Sequence, residues 1–220
     1  MSEVIYQEET IPWGEAIKQV RKELSGNLPN VWELRSYRYL AEHPLIPEQG
    51  IHGQLHVARV WLHGRVLGGL VDVNNNQLVV DLFAIEHDRH RRNDKYDWLH
   101  GVRAAHDMTE RLKEAVDPET LRLAASICYW HVFPEQLVPH RLKQIPEWQI
   151  ATHADALDRT RNGAPHDLGD LNCNYLQLPS AFLMVDIARE LAARSNQSNQ
   201  SGENPFEAVV AAGREMGLLQ

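Results

Sequence analysis

Wherever this chain shows strong apolar periodicity, the period is that of an α-helix. Trp13, Ile17, Val20 and Leu24 recur at steps of three and four with Lys and Arg between them. Val57, Val60, Trp61, Leu67, Leu70 and Val71 follow the same spacing, although Gly64, Gly68 and Gly69 are poor helix formers and imply close neighbours on their side. Trp98 to Val116 is amphipathic throughout, and Leu183, Ile187 and Leu191 share one face of a segment from Pro179 to about Arg194. Prolines mark helix starts: Pro118 opens a segment to about His131, Pro146 one to about Arg159, and Pro205 one to Leu218. Val31 to Leu40 reads as a further short helix before a loop at Pro44, Pro47 and Gly50. Leu78 to Glu86, after the turn at Asn74 to Asn76, is a buried strand or a buried helix on pattern alone. All the strong elements are helical, so the expected fold class is all-α.

With 220 residues, 43% hydrophobic, the chain is long enough for one domain with a real core. Residues 1–50 read as an N-terminal helical extension, 51–194 as the main domain and 205–220 as a C-terminal helix. Between the last two, Ser195 to Asn204 is a run of polar residues with almost no apolar character, which reads as a flexible linker. The last helix then packs either on its own domain or on a partner subunit, which leaves a homo-oligomer open.

Twenty-two basic against thirty acidic residues give −8, a field that repels nucleic acid and anionic lipid. A short single strand could still enter locally, but nucleic acid is not the favoured partner. No apolar run approaches the ~20 residues of a transmembrane helix, and the acidic start lacks the basic and apolar regions of a secretory signal. Cys128 and Cys173 stand far apart and form no CxxC pattern, which argues against a disulfide framework or a thiolate zinc site. A reducing, cytoplasmic setting without membrane contact is the expectation.

Twelve histidines are about twice an ordinary share. The pair His87-Asp88 ends an apolar run, where it needs partners or a metal. His106-Asp107 and His166-Asp167 sit among solvated neighbours and read as surface pairs, and His90, His140, His153 and His166 as solvent-facing. A metal site needs imidazoles and carboxylates from several elements, and candidates recur at suitable places. They are His56 near a helix start with Arg59 one turn on, then His87 and Asp88, His100, His131, and the Ala154-Asp155-Ala156-Leu157-Asp158 stretch. His52 and His63 lie on nearly the same face as His56 and are alternatives for its role; Asp158 is the alternative to Asp155.

The ordered set His56-x-x-Arg59-Val60, Phe83-Ala84-Ile85-Glu86-His87-Asp88 and Ala154-Asp155-Ala156-Leu157-Asp158 resembles the HD-domain metal-dependent phosphohydrolase superfamily. The match spans roughly His52 to Arg161. The stretch from Arg91 to Ala105 is similar to a bacterial subgroup of HD proteins. The resemblance implies an HD-domain helical bundle, with helix at Leu78 to Glu86, in which His56, His87, Asp88 and Asp155 hold a divalent cation. In members with two metals, two further histidines intervene, and His100 and His131 occupy those places. The implied cofactors are one or two divalent transition metals (Mn, Fe, Co, Ni or Zn), which suit mixed imidazole and carboxylate donors.

The implied activity is hydrolysis of a phosphomonoester or phosphodiester, of a nucleotide or other small metabolite, by metal-activated water. Asp88 would serve both metal and catalysis, and Asp97 would orient a ligand or metal-bound water. Arg91, Arg92 and Lys95 are placed to hold phosphate oxygens of the small-molecule ester. Two alternatives share the residues: an HD-type di-iron oxygenase, and a noncatalytic metal or nucleotide sensor.

Overall fold

The computed structural model describes residues 13–24, 27–30, 51–71, 74–93, 97–162 and 171–220. Among them the chain is all-helical, with no strand. The α-helices are α1 (Trp13–Glu23), α2 (Gln54–Leu70), α3 (Gln77–Glu86), α4 (His100–Leu112), α5 (Pro118–Trp130), α6 (His140–Lys143), α7 (Pro146–Leu157), α8 (Pro179–Leu183), α9 (Val185–Gln200) and α10 (Pro205–Glu215). Single 3₁₀ turns add Glu135–Leu137, Asp158–Asn162 and Cys173–Tyr175. No helix among the described residues is long and apolar enough to cross a membrane.

Helix α2 is the axis of the bundle, packed against α3, α7, α9 and α10. Apolar side chains on most of its circumference explain this placement, since a helix that is hydrophobic nearly all round can only be internal; Val57, Val60, Trp61, Leu62, Val66 and Leu67 are all buried. Gly64 lets α3 approach, because a Cβ there would sit 2.7 Å from Val80 Cγ1. The close neighbours implied by the glycines of α2 are thus present. Helix α3 is buried between α2, α5 and α7, which resolves the ambiguous apolar run as helix.

Starts follow the proline pattern. Asp117 accepts from the Glu119 and Thr120 amides ahead of Pro118, and Asn204 accepts from the Phe206 amide ahead of Pro205, so each cap satisfies donors the helix itself cannot. The amphipathic segment beginning at Trp98 is helical only from His100 to Leu112. The segment from Pro179 is two helices, α8 and α9, meeting at Met184. The short helix expected at Val31 to Leu40 lies outside the described residues.

The expected linker needs correction. Helix α9 continues through Ser195 to Gln200, and only residues 201–204 form a turn, with Gly202 at φ +95°. Polar composition misled because one of these residues is internal: Ser195 is fully buried, donates its hydroxyl to the Leu191 carbonyl, and receives Arg59 Nη1 at 3.2 Å. Asn196 Oδ1 accepts from the same guanidinium at 3.0 Å. Helix α10 folds back on α9 and α2 of its own chain.

Candidate metal centre

Six imidazole- or carboxylate-bearing residues from different elements meet where α2, α3, α4, α5 and α7 converge. His56 lies in the first turns of α2; His87 and Asp88 follow the end of α3; His100 opens α4; His131 follows α5; Asp155 lies in the last turn of α7. Their donor atoms fall into groups compatible with a cation: His56, His87 and Asp155; His52, His56 and Asp88; and Asp88, His100 and His131.

Each histidine is held by its Nδ1. In His56 this nitrogen lies 2.7 Å from Asp158 Oδ2, and in His87 3.0 Å from the Phe83 carbonyl. His100 Nδ1 is 2.5 Å from the Asp97 carbonyl, and His131 Nδ1 is 2.6 Å from that of Cys128. All four partners accept only, so each Nδ1 carries a proton and, whenever the ring is neutral, its Nε2 presents a lone pair. His56 Nε2 and His87 Nε2 are nevertheless 3.1 Å apart, and His100 Nε2 and His131 Nε2 3.2 Å apart. Lone pairs facing one another at that range in a buried site are stable only with a cation between them, either a proton or a metal.

The spacing suits a metal. His56 Nε2 lies 3.5 Å from both Asp88 Oδ2 and Asp155 Oδ1, and His87 Nε2 lies 3.6 Å from both. Bonds of ~2.0–2.1 Å to a shared tetrahedral ion require donor separations of about 3.4 Å, close to the observed edges. On the other side of the Asp88 carboxylate, Oδ1 is 2.9 Å from His100 Nε2. Asp88 therefore faces both donor sets. Arg91 caps this pair, with Nη1 3.2 Å from Asp88 Oδ1 and 3.1 Å from His100 Nε2.

Electrostatics follow the same logic. Burial pulls the His87 imidazole down, but the Asp88 and Asp155 carboxylates outweigh it and raise the group to about 9. Burial and the neighbouring His87 charge push His131 down to about 3. Although burial opposes ionisation, His87 and the surrounding imidazoles hold both carboxylates well below the usual range. One proton thus resides on His87, while His131 stays neutral.

Of the residues singled out in the sequence, His56, His87, Asp88, Asp155, His100 and His131 come together, and Arg91 points among them. Asp97 borders the same cavity, but its carboxylate is engaged by Arg103 Nη2 at 2.5 Å and the Arg92 amide at 2.9 Å; it steers His100 through its backbone carbonyl. Arg92 is exposed, and Lys95 lies outside the described residues.

Asp158 is not the alternative ligand but the anchor of the site. Fully buried, it receives His56 Nδ1, Arg59 Nε at 2.5 Å and Arg161 Nη1 at 3.0 Å. The matched i, i+3 spacings of His56 with Arg59 and Asp155 with Asp158 were the available signal: each helix turn offers one residue to the centre and one to its support. His52 stands 2.6 Å from Asp88 Oδ2 and orients that carboxylate. His63 points elsewhere, toward the Ala154 carbonyl, and burial lowers it to about 4. His153, expected in solvent, is buried; its Nε2 accepts from the Gln177 and Leu178 amides at 2.7 and 3.3 Å.

A cavity of about 760 Å³ opens over the centre, bordered by Asp88, Arg91, His100, Asp155, Arg159 and Arg161. Fold and site together define an all-helical protein with buried His/Asp clusters able to hold a metal ion. Comparison of the chain with protein-family models, with curated proteins and with solved structures finds no match.

Proposed function

We propose that the chain is a metal-dependent phosphohydrolase of the HD-domain type, acting on a phosphomonoester or phosphodiester of small-molecule size. The observation that carries this reading is the set of four Nδ1-tethered imidazoles whose Nε2 atoms face Asp88 and Asp155. His56, His87, Asp88 and Asp155 would hold the first divalent ion, and Asp88, His100 and His131 a second. Such an ion supplies a water acidified toward pKa ~7 and a Lewis acid for a phosphoryl oxygen.

The chain's own residues supply the rest. Arg91, Arg159 and Arg161 border the cavity and give the substrate phosphate a cationic wall in a protein of net charge −8. Asp158, Asp97 and the carbonyls of Phe83 and Cys128 fix the tautomer and aim of each imidazole. His52 does the same for the carboxylate shared between the donor sets.

The test is elemental analysis of the purified protein together with a phosphate-release screen over small phosphate esters, run in air and under argon. Phosphate release retained under argon supports the reading. Bound metal without release from any ester overturns it; turnover that needs O₂ transfers the site to an oxygenase, and a partner lost on substituting His87 and Asp88, without any turnover, transfers it to a sensor.

A further inference from the structure

A second cavity of about 420 Å³ opens beside the first and shares with it Trp98, His131, Val132, Asp155 and Arg159. The two are therefore one cleft with an arm that leaves directly from the metal donors. We infer that this arm takes a single flat, hydrogen-bonding ring system carried by the phosphate ester, and that Trp98 and Tyr175 select for it. The inference rests on the hydrolase reading and extends it to substrate class.

The two ends of the cleft differ in chemistry. Arg91 and Arg161 border the metal side alone and Arg159 stands where the two cavities join, whereas the far part of the arm carries the carboxylate of Glu135 together with aromatic and amide side chains, so an anionic phosphate is directed to the metal side. Trp98 and Tyr175 are 58% and 61% exposed, and both line the arm. Exposed aromatic rings at a cavity are stacking platforms for flat heteroaromatic groups, and the polar residues behind them, Gln149, Thr152 and Gln177, can meet a ring's edge.

The arm is also rigidly built. His153 on α7 accepts the Gln177 and Leu178 amides, and Gln177 Nε2 reaches Glu135 Oε1 at 3.0 Å, so the segment bearing Tyr175 is pinned to the helix bearing Asp155. At about 420 Å³ the arm lies near the small end of the ~300–1,000 Å³ range of ligand sites, suited to one ring system and not to a dinucleotide. Two sources share this chemistry: a nucleoside monophosphate and a pyridine-ring phosphate.

Equilibrium binding to the metal-loaded protein, by calorimetry, tests the inference with four probes: adenosine monophosphate, pyridoxine phosphate and glycerol phosphate, each as its non-hydrolysable methylenephosphonate analogue, and inorganic phosphate. At least one ring phosphate is expected to bind tenfold or more tightly than glycerol phosphate. Trp98→Ala should weaken that ligand by about tenfold, as loss of one stacking surface predicts, while Trp98→Phe retains most of it. Inorganic phosphate should bind Trp98→Ala within twofold of wild type, which also shows that the site is still folded.

Equal affinity for glycerol phosphate and both ring phosphates, or equal loss of all four probes in Trp98→Ala, would overturn the inference. The two readings fail separately. Ring phosphates bound through Trp98 but never hydrolysed would leave the arm standing and remove the hydrolase; hydrolysis indifferent to the ring would do the reverse.

Discussion

Replacing Asp158 with Ala separates the support of the centre from its donors. Asp158 is fully buried and accepts from three side chains: His56, Arg59 and Arg161. Its removal leaves Arg59, itself 2% exposed, with only the neutral Ser195 and Asn196 as partners among the described residues. Stripping one member from a buried ion pair costs about 3–5 kcal/mol because the other charge is left uncompensated. For a chain of this size 1 kcal/mol moves the melting midpoint by ~2–4 °C, so the metal-free variant should melt about 6–20 °C lower. His56 also loses the acceptor that fixes its tautomer, which should weaken metal binding by about 10–100-fold.

Asp155→Ala should behave oppositely: it removes a donor at the rim of the centre, loses metal, and lowers the chelated protein's midpoint much less. Arg59→Met with Asp158→Leu completes the test. Replacing both charges by apolar groups should recover most of the stability but not the metal affinity, because the His56 acceptor is still missing. Thermal melts followed by circular dichroism, with and without chelator, plus elemental analysis, read all three variants. A chelated Asp158→Ala protein that melts within about 2 °C of wild type and retains its metal would refute the assignment of Asp158 as anchor.

Three further outcomes follow from the geometry. Gly101→Ala should destabilise by about 1–3 kcal/mol and reduce metal stoichiometry, since its Cβ would collide with the Cys128 carbonyl oxygen and press on His131; denaturant melts and metal content check it. Metal binding should release a proton near pH 8, because His87, raised to about 9, must give up its proton to expose Nε2; calorimetry in two buffers of different ionisation enthalpy reads it. For the metal-free protein the sign is that of a raised imidazole: its stabilising contribution is complete below pH ~6.5 and is lost as pH rises through about 9, so chelated melts should fall over that window while metal-loaded melts should not. Arg91→Met should raise the metal-to-protein ratio or the affinity of the weaker site, because its guanidinium caps Asp88 Oδ1 and His100 Nε2 and competes with a cation for both; titration under elemental analysis decides, and an unchanged ratio and affinity would mean that the arginine moves aside at no cost.

How much of this was legible in the sequence depends on the kind of interaction. Helix positions were readable because apolar spacing and proline starts are local properties, and α5, α7 and α10 begin at the prolines that mark them. The residues that meet at the candidate centre were readable because the ordered set His56, His87-Asp88 and Asp155 is itself a pattern. The supports were harder to read. His87 and His131 are steered by backbone carbonyls, which every residue possesses, so no side-chain identity records them. His153 reads as an ordinary polar residue until the amides of Gln177 and Leu178, more than twenty positions away, arrive at its ring.

The run Ser195 to Gln200 brings fold and site together. A low-complexity polar stretch reads as linker because no core should accept it, yet the centre contains a buried cation, Arg59, with more donors than Asp158 alone engages. Small polar side chains on a helix that passes Arg59 satisfy the rest of its guanidinium. The same property that makes the segment look unstructured therefore makes it the suitable lining for a charged interior. Arg59 grips Asp158, and Asp158 aims His56, so α9 reaches the donor set through two intervening residues. Ser195→Ala with Asn196→Ala should accordingly weaken metal binding without altering any donor, read by metal titration, while an exposed pair on the same helix, Gln197→Ala with Gln200→Ala, should leave it unchanged; equal metal affinity in both double variants would break that chain of support.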